Sequence, residues 1–241
     1  MKEVRYFFAP NAEENKELPQ DEAQHAIKVL RLSEGDEIFL MDGMGSFYRA
    51  EVTMAQGKHC YYRIIETIPQ KKAWRGKIHI VMAPTKMMDR VEWMVEKATE
   101  IGCDEFSFLS CKFSERKQMR KDRVEKIVMS AVKQSRKPWK PIVNELESFK
   151  EFISMPRDGK KFICHCYDEI ERADFYESII SDDDDTDITV LVGPEGDFSI
   201  DEVKEAMSVG YEPVSLGNAR LRTETAAVYA TMMAQLARRI K

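Results

Sequence analysis

Beyond about residue 73 the sequence alternates short apolar runs with helical patterns, and this alternation constrains the fold more than any other feature. Four runs, KIHIVMAP, EFSFLS, KFICHC and DITVLVG, have the apolar character of strands that are buried on both faces. Residues 89–101 place apolar side chains at spacings of three and four, which predicts an amphipathic helix that ends at Gly102. The alternation indicates an α/β domain with a parallel sheet.

Two capping-box patterns, Asp122–Glu125 and Ser199–Glu202, predict the starts of two further helices. Gly210 is placed to end the second of them. The run PVSLG predicts a short strand, and residues 223–239 predict a final helix. The hydroxyl of Thr223 is expected to cap this last helix.

The first seventy residues have a different character. The segments RYFFA, DEIFLMDG, SFYRAEVTMA and KHCYYRIIETI are rich in aromatic and β-branched residues and are separated by glycines, as is typical of short strands. One short helix is expected at residues 21–30. The polar stretch 69–77 is the best candidate for a linker. We therefore predict a small β domain over residues 1–72 and an α/β domain over residues 73–241.

The cysteine content and the apolar runs indicate a cytoplasmic protein. No stretch approaches eighteen apolar residues, so no membrane span is expected, and the N-terminus lacks the pattern of a secretory signal. The five cysteines are odd in number and include no CxxC pair, which favours reduced thiols over disulfides or a zinc site. No metal is expected, because no cluster has ligand spacing.

Charge is distributed unevenly along the chain. The net charge is −5, yet residues 112–140 contain eleven Lys or Arg against three Asp or Glu. Such a segment is either a footprint for phosphates, with Arg116, Arg120 and Arg136 as candidates, or a solvated helix face. The acidic run 182–185 is expected to be a solvated loop.

Two glycine-containing loops follow predicted strands, where open α/β sheets bind ligands. They are VGPEGDFS (192–199) and SLGNARLRTETA (215–226). Neither is a P-loop or a GxGxxG fingerprint, and Gly43-Met44-Gly45 is expected to be a hairpin turn. A strand, a glycine turn and a helix often have only a structural role. Arg220, Arg222 and Glu224, however, crowd at one helix start, where packing does not need charges.

The two loops also carry a resemblance to a known family. GPEGDFSIDEV followed by SLGNARLRTETAAVYA closely resembles the 16S ribosomal RNA uridine-N3 methyltransferases (RsmE type) of the SPOUT superfamily. HAIKVLRLSEGDEI and MDGMGSFYRAEV are similar to the PUA-like β-barrel of that family. KMMDRVEWMVEKATEIGCDEF resembles the first helix of its catalytic domain, and AVKQSRKPWKPIV resembles its Gln-Ser-x-Arg segment.

The resemblance implies a C-terminal trefoil knot, a homodimer with the cofactor site at or near the subunit interface, and S-adenosylmethionine as cofactor. The cofactor residues that it implies are Gly193, Glu195, Gly196, Leu216, Gly217, Leu221, Arg222 and Thr223. His165, Cys166 and Tyr167 end a predicted strand and either line the same pocket or, as favoured for His165, pack in the core.

The chain departs from the family pattern at two positions. Asp197 stands where the pattern has a second glycine. Ala219 stands where the pattern has an arginine, and an arginine follows at Arg220. The geometry after Gly196 and the role of Arg220 are therefore left open, and more weight falls on Arg222.

The reaction that the resemblance implies assigns roles to several residues. Arg222 is expected to stabilise the negative charge that develops on the uracil oxygens, and Glu224 either orients Arg222 or accepts the N3 proton. A simple ion pair at a helix start is the structural alternative. His25, Lys28 and Arg31 of the N-terminal domain are expected to contact phosphates of 16S rRNA in the small ribosomal subunit. The alternatives are a related enzyme acting on a ribose 2′-oxygen or on tRNA, and a non-catalytic ribosome-assembly factor.

Overall fold

The computed structural model describes residues 5–180 and 185–240 and separates into two compact units. Unit 1 comprises the residues up to Lys72 together with Val132–Lys140, and unit 2 comprises Ala73–Ala131 and the residues from Pro141 onward. Most of the acidic run predicted to be a solvated loop lies outside the described residues. Within the described ranges, no helix is long and apolar enough to cross a membrane.

Unit 1 is built on a four-stranded sheet. Its elements are β1 (Tyr6–Phe8), α1 (Ala12–Asn15), α2 (Gln20–Gln24), a π-helix (His25–Val29), β2 (Glu37–Met41), β3 (Ser46–Gln56) and β4 (His59–Pro69). The strands follow the order β1-β2-β3-β4, with β1 parallel to β2 and the other neighbours antiparallel. The four predicted strands are confirmed. The predicted short helix is present as α2, which continues into the π-helix.

The segment 132–140 joins unit 1 through the turn that the sequence predicts at residues 43–45. The N–H of Gly45 donates to the carbonyl of Pro138 at 2.9 Å, and the N–H of Lys140 donates to the carbonyl of Gly43 at 2.9 Å. A Cβ added at Gly45 would lie 2.9 Å from the Trp139 indole nitrogen. Glycine is therefore required here by close approach. The predicted division at residue 72 assigned segment 132–140 to the second domain, whereas the structure groups it with unit 1.

Unit 2 contains a seven-stranded sheet in which every neighbouring pair is parallel. Its strands are β5 (Ile78–Met82), β6 (Glu105–Ser110), β7 (Ile142–Ser148), β8 (Lys160–Cys164), β9 (Ala173–Asp174), β10 (Ile188–Val192) and β11 (Glu212–Ser215). Their order is β7-β6-β5-β10-β8-β11-β9. All residues of the central strands β5 and β10 are buried, as expected when helices cover both faces of a sheet. The predicted α/β class is confirmed.

The helices of unit 2 cover the two faces of this sheet. They are α3 (Met88–Ile101), α4 (Lys121–Ser135, whose last residues belong to unit 1), α5 (Phe149–Ser154), α6 (Phe175–Ile180), α7 (Ile200–Ser208) and α8 (Thr223–Arg238). Helices α5 and α7 pack on one face, in a core that includes Val81, Leu191 and Phe198. Helix α8 packs on β5 and β10 and also contacts α3 and α6.

The predicted helix starts have mixed outcomes. The capping box of Ser199 and Glu202 is confirmed, with both reciprocal hydrogen bonds present. The box predicted at Asp122 is wrong, because α4 already begins at Lys121 and the Asp122 carboxylate instead binds the Arg120 guanidinium at 2.7 Å. The predicted Thr223 cap is also wrong. Arg222 has the extended backbone of the N-cap position, and its side chain makes no capping hydrogen bond.

Candidate active site

Three neighbouring strands bring their following loops together at one edge of the unit 2 sheet. Strands β10, β8 and β11 are adjacent and parallel, so their carboxyl ends meet. A cavity of about 600 Å³ lies among the loops that follow them. Every residue that the sequence proposed for cofactor binding or chemistry lines this cavity: Gly193, Glu195, Gly196, Leu216, Gly217, Leu221, Arg222, Thr223 and Glu224.

The loop after β10 presents backbone rather than side chains at two points. A Cβ added at Gly193 would lie 3.0 Å from the backbone nitrogen of Phe198, and one added at Gly196 would lie 3.2 Å from the Phe113 Cβ. Glu195 is exposed, and its carboxylate accepts a hydrogen bond from the N–H of Lys86 at 2.9 Å. Glycine at these two positions therefore allows the loop to pack closely against Phe198 and Phe113.

Asp197 shows how this chain replaces the second glycine of the family pattern. Its φ is +66°, in the left-handed region that glycine adopts without strain and aspartate tolerates better than most residues. Its carboxylate accepts hydrogen bonds from the N–H of Cys166 at 2.8 Å and from its neighbour Phe198 at 2.7 Å. The aspartate therefore keeps the backbone geometry and also connects the loop after β10 to the loop after β8.

The loop after β11 makes a tight turn before α8. Gly217 has a φ of +107°, and its N–H donates to the Ser215 hydroxyl at 3.1 Å. Arg220 and Arg222 follow with exposed side chains, and both line the cavity. Arg220, which follows Ala219 in the chain, thus lines the same cavity as the residue position where the family pattern has its arginine.

The loop after β8 contributes a buried histidine. His165 is buried and lines the cavity, so the two alternatives that the sequence left open both hold. Its Nε2 is buried without a hydrogen-bond partner among the described residues. Burial lowers the pKa of His165, so the ring is neutral at neutral pH. Cys166 also lines the cavity, whereas the Tyr167 hydroxyl donates to the carbonyl of Phe198 at 2.7 Å.

Glu224 is buried and forms its ion pair with a residue that the sequence did not single out. Its Oε1 lies 3.5 Å from Nη1 of Arg90, in the first turn of α3. Its Oε2 is buried and has no hydrogen-bond partner within the described part of the chain. Arg90 follows β5, which neighbours β10, so its position after a strand of the same sheet was the available signal.

These features fit a small polar ligand with an apolar part. The cavity is lined by Gly193 and Gly196, by the half-buried Leu216 and Leu221, and by two buried polar atoms, His165 Nε2 and Glu224 Oε2, that have no hydrogen-bond partner in the part of the chain that the structure describes. Buried polar atoms normally have a hydrogen-bond partner, so a ligand is expected to supply one. No group of three or more residues suited to a metal ion occurs among residues 5–180 and 185–240.

The predicted RNA-binding residues lie in both units. In unit 1, His25, Lys28 and Arg31 are exposed on or just after the π-helix, and Arg136 lies over the Tyr6 ring at 4.8 Å. In unit 2, Arg120 is exposed and paired with Asp122.

Arg116, also in unit 2, is only partly exposed, and its guanidinium donates to the carbonyls of Thr85 at 3.1 Å and Lys86 at 2.5 Å. It therefore holds the loop after β5 as well as being a candidate phosphate contact.

Comparison with known proteins identifies both units. Residues 72–235 match the family described as RNA methyltransferase domain, and residues 18–65 match the RNA methyltransferase PUA domain. The ribosomal RNA small subunit methyltransferase E of Bacillus subtilis is 25% identical over 240 residues, covering 94% of this chain and 93% of the relative. The relative of the same name from Rickettsia conorii is 25% identical over 240 residues, covering 98% and 96%.

Solved structures agree with these matches. A probable rRNA-methyltransferase from Porphyromonas gingivalis superimposes with a TM-score of 0.89 at 38% identity over 98% of each chain. A ribosomal RNA small subunit methyltransferase E from Neisseria gonorrhoeae, bound to S-adenosyl methionine, gives a TM-score of 0.80 at 25% identity over 97% of this chain and 98% of that chain. The resemblance carried by the two glycine loops is confirmed, and the chain belongs to the RNA methyltransferase family.

Proposed function

We propose that this protein transfers a methyl group from S-adenosylmethionine to N3 of a uridine in the 16S rRNA of the small ribosomal subunit. The observation that carries the proposal is the cavity at the carboxyl ends of β10, β8 and β11, which is lined by both glycine loops and by two buried polar atoms without a hydrogen-bond partner among the described residues. The names of the relatives and the cofactor in the Neisseria gonorrhoeae structure support it.

S-adenosylmethionine supplies an electrophilic methyl group on a sulfonium. The backbone at Gly193, Gly196 and Gly217 would approach it closely, since these positions have no side chain to intervene. Leu216 and Leu221 would cover its apolar surface, and Glu195 and Thr223 would border it. The glycine loops that hold the cofactor would form the trefoil knot that the resemblance implies.

The protein must align the uridine N3 with the methyl carbon and help the N3 proton to leave. As the proton leaves, negative charge spreads onto the uracil oxygens. Arg222 lines the cavity with an exposed side chain and has no carboxylate within ion-pair distance among the described residues. Its guanidinium is therefore available to stabilise that charge. Glu224 lines the same cavity, and its carboxylate is a candidate acceptor for the proton.

The substrate would be bound through basic residues of both units. The candidate phosphate contacts are His25, Lys28, Arg31 and Arg136 in unit 1, and Arg116 and Arg120 in unit 2.

We also propose a cytoplasmic homodimer. Helix α8 presents Tyr229, Met232 and Leu236 with 41%, 44% and 53% of their surface exposed. A second copy of the chain would cover these apolar side chains.

The test is methylation of small subunits purified from a strain that lacks this protein. We expect single-turnover transfer of one methyl group, and 3-methyluridine as the modified nucleoside after digestion and mass spectrometry. Reactions with large subunits and with tRNA serve as controls. A 2′-O-methylated product, or a product from tRNA, would assign the chain to a different substrate. No transfer together with no binding of S-adenosylmethionine would favour the non-catalytic assembly factor.

A further inference from the structure

The side chain of Glu224 is buried in a way that its own helix does not explain. Only 6% of the residue is exposed, although it lies in the first turn of α8 beside a solvent-open cavity. Its one ionic contact among the described residues is with Arg90, whose Nη1 lies 3.5 Å from Oε1. The two residues connect the first turns of α3 and α8, two helices that pack against each other.

One oxygen of this carboxylate has no hydrogen-bond donor. Oε2 is buried without a partner within the described residues. A buried carboxylate is costly unless it is paired and hydrogen-bonded. The helix dipole and the Arg90 cation offset part of that cost, but neither donates a hydrogen bond to Oε2. A donor from a molecule bound in the cavity is therefore expected.

We infer that Oε2 of Glu224 accepts the N–H proton of the substrate base and that Arg90 is the residue that positions Glu224 for this step. The inference rests on the proposed function and goes beyond it by assigning a proton acceptor and its support. The N3–H bond breaks and its proton passes to Oε2. The N3 electron pair forms the bond to the methyl carbon, and the electrons of the carbon–sulfur bond return to sulfur, which becomes a neutral thioether.

The two arginines at the cavity then have separate roles. Arg90 is 35% exposed and contacts the carboxylate, so it holds the acceptor in place. Arg222 contacts no carboxylate among the described residues and remains available to the uracil oxygens. Among the described residues, the ion pair of Glu224 is with Arg90 and not with Arg222, which favours proton acceptance over an orienting role towards Arg222.

A hydrogen-bond donor for Oε2 has a second source, because the cofactor also carries N–H and O–H groups. The two sources differ in what the loss of Glu224 changes. If the donor belongs to the substrate base, Glu224→Gln lowers the transfer rate and leaves cofactor affinity within a few-fold. If it belongs to the cofactor, the affinity for S-adenosylmethionine falls instead.

The experiment measures single-turnover transfer and cofactor affinity in the full-length protein for Glu224→Gln, Arg90→Gln, Arg90→Lys and the double variant Arg90→Gln/Glu224→Gln. We expect Glu224→Gln to lose about a hundredfold in rate, within the range for one general base. Arg90→Gln should lose roughly tenfold or more, and Arg90→Lys should recover most of that loss. The double variant should match Glu224→Gln, because the residues act as a unit. Lys204→Gln, an exposed cation on α7, is the matched control.

A substrate with a more acidic N–H separates proton transfer from a structural role. On small subunits that contain 5-fluorouridine, the proton leaves with less help, so the rate deficits of Glu224→Gln and Arg90→Gln should shrink at least severalfold. Equal deficits on both substrates, or a loss confined to cofactor affinity or to the melting temperature, would overturn the inference. If the wild-type protein transfers no methyl group to N3, the proposed function itself fails. If the wild-type protein is active and the Glu224 and Arg90 variants transfer methyl groups as fast as Lys204→Gln, the proposed function stands and the inference about the proton acceptor is wrong.

Discussion

The carboxylate of Asp197 accepts a hydrogen bond from the backbone N–H of Cys166 at 2.8 Å, which joins the loops after β10 and β8 across the candidate active site. The same residue has a φ of +66°, a conformation in which glycine would be unstrained. The chain thus combines, in one residue, the backbone conformation of a glycine and a hydrogen bond that glycine cannot make.

Substitutions at Asp197 are expected to separate these two contributions. Asp197→Gly keeps the conformation but loses the bridge, which costs about 1.5–3 kcal/mol for a hydrogen bond to a charged group. Asp197→Ala loses the bridge and adds about 1–2 kcal/mol of strain. Asp197→Asn, which tolerates this conformation and keeps an acceptor, should lose least. Denaturant unfolding measures the series, with Asp201→Ala on α7 as the control. Equal stability of the Gly and Ala variants would contradict the role of the backbone conformation.

Arg222→Ala is expected to lower the methyl-transfer rate on the order of a hundredfold, the scale for losing one preorganised donor to a developing charge. Affinities for S-adenosylmethionine and RNA should stay within a few-fold, because the charge develops only in the transition state. Single-turnover transfer with both substrates saturating, two binding titrations and a thermal melt measure these effects. The parallel variant Arg220→Ala tests which arginine stands in for the one absent at Ala219. A near-normal rate for Arg222→Ala would remove this residue from the mechanism.

Removing the charges of Arg116, Arg120 and Arg136 is expected to weaken RNA binding and to flatten its salt dependence by about one unit of slope for each phosphate that the protein no longer neutralises. Cofactor affinity should hardly change. A triple variant of the exposed residues Lys58, Lys150 and Lys204 removes the same amount of charge and serves as the control. Because Arg116 also binds the carbonyls of Thr85 and Lys86, the Arg116 variant should lower the melting temperature more than the Arg120 variant, which loses only an exposed ion pair. Unchanged RNA affinity in the triple arginine variant would make the segment a solvated helix face.

The exposed residues around the π-helix of unit 1 are expected to contribute to RNA affinity without affecting the chemistry. The full-length variant His25→Ala/Lys28→Ala/Arg31→Asn keeps a residue that tolerates the φ of +53° at position 31. It should bind RNA several-fold more weakly at physiological salt, with an unchanged single-turnover rate at saturating RNA. Filter binding over a series of salt concentrations gives the affinity. A lower rate at saturation would show that these residues also position the reacting base.

His79 is expected to make the stability of the protein depend on pH. Its ring lies in the sheet beside the Ser107 hydroxyl, 2.9 Å away, with Glu105 and Arg157 nearby. Burial, and then the charge of Arg157, lower the pKa of His79 to about 3. The unfolded chain binds a proton near pH 6.5, so stability present above that pH is lost as the pH falls towards 3, by about 1.4 kcal/mol per pH unit.

The variant His79→Gln is expected to lower the slope of the free energy of unfolding against pH between about pH 6 and pH 4, because unfolding then takes up one proton fewer. Urea unfolding at several pH values measures the slope, and His59→Gln, an exposed histidine of unit 1, is the control. An unchanged slope in His79→Gln would mean that the ring is protonated in the folded protein, with Glu105 as its partner at 3.8 Å.

Patterns that are local along the chain were predictable. The apolar runs at Ile78–Met82 and Ile188–Val192 are strands, and the capping box at Ser199 starts α7, because periodicity and capping depend on residues within a few positions of one another. The two glycine loops could be placed at strand ends for the same reason. The prediction of a Thr223 cap failed because the cap position differed by one residue, a boundary that local preference does not define well.

The sequence by itself thus determined the alternation of strands and helices, although it missed β7, α5, β9 and α6, and it also determined the two glycine loops at strand ends and the family. Only the tertiary structure decided which residues meet: Arg90 with Glu224, Asp197 with the N–H of Cys166, and Trp139 with Gly45. These pairs are far apart in the chain, and they meet because particular strands become neighbours and particular segments return to a unit. Burial removes water from a carboxylate such as Glu224, so its charge is stabilised only by groups that the fold brings close to it.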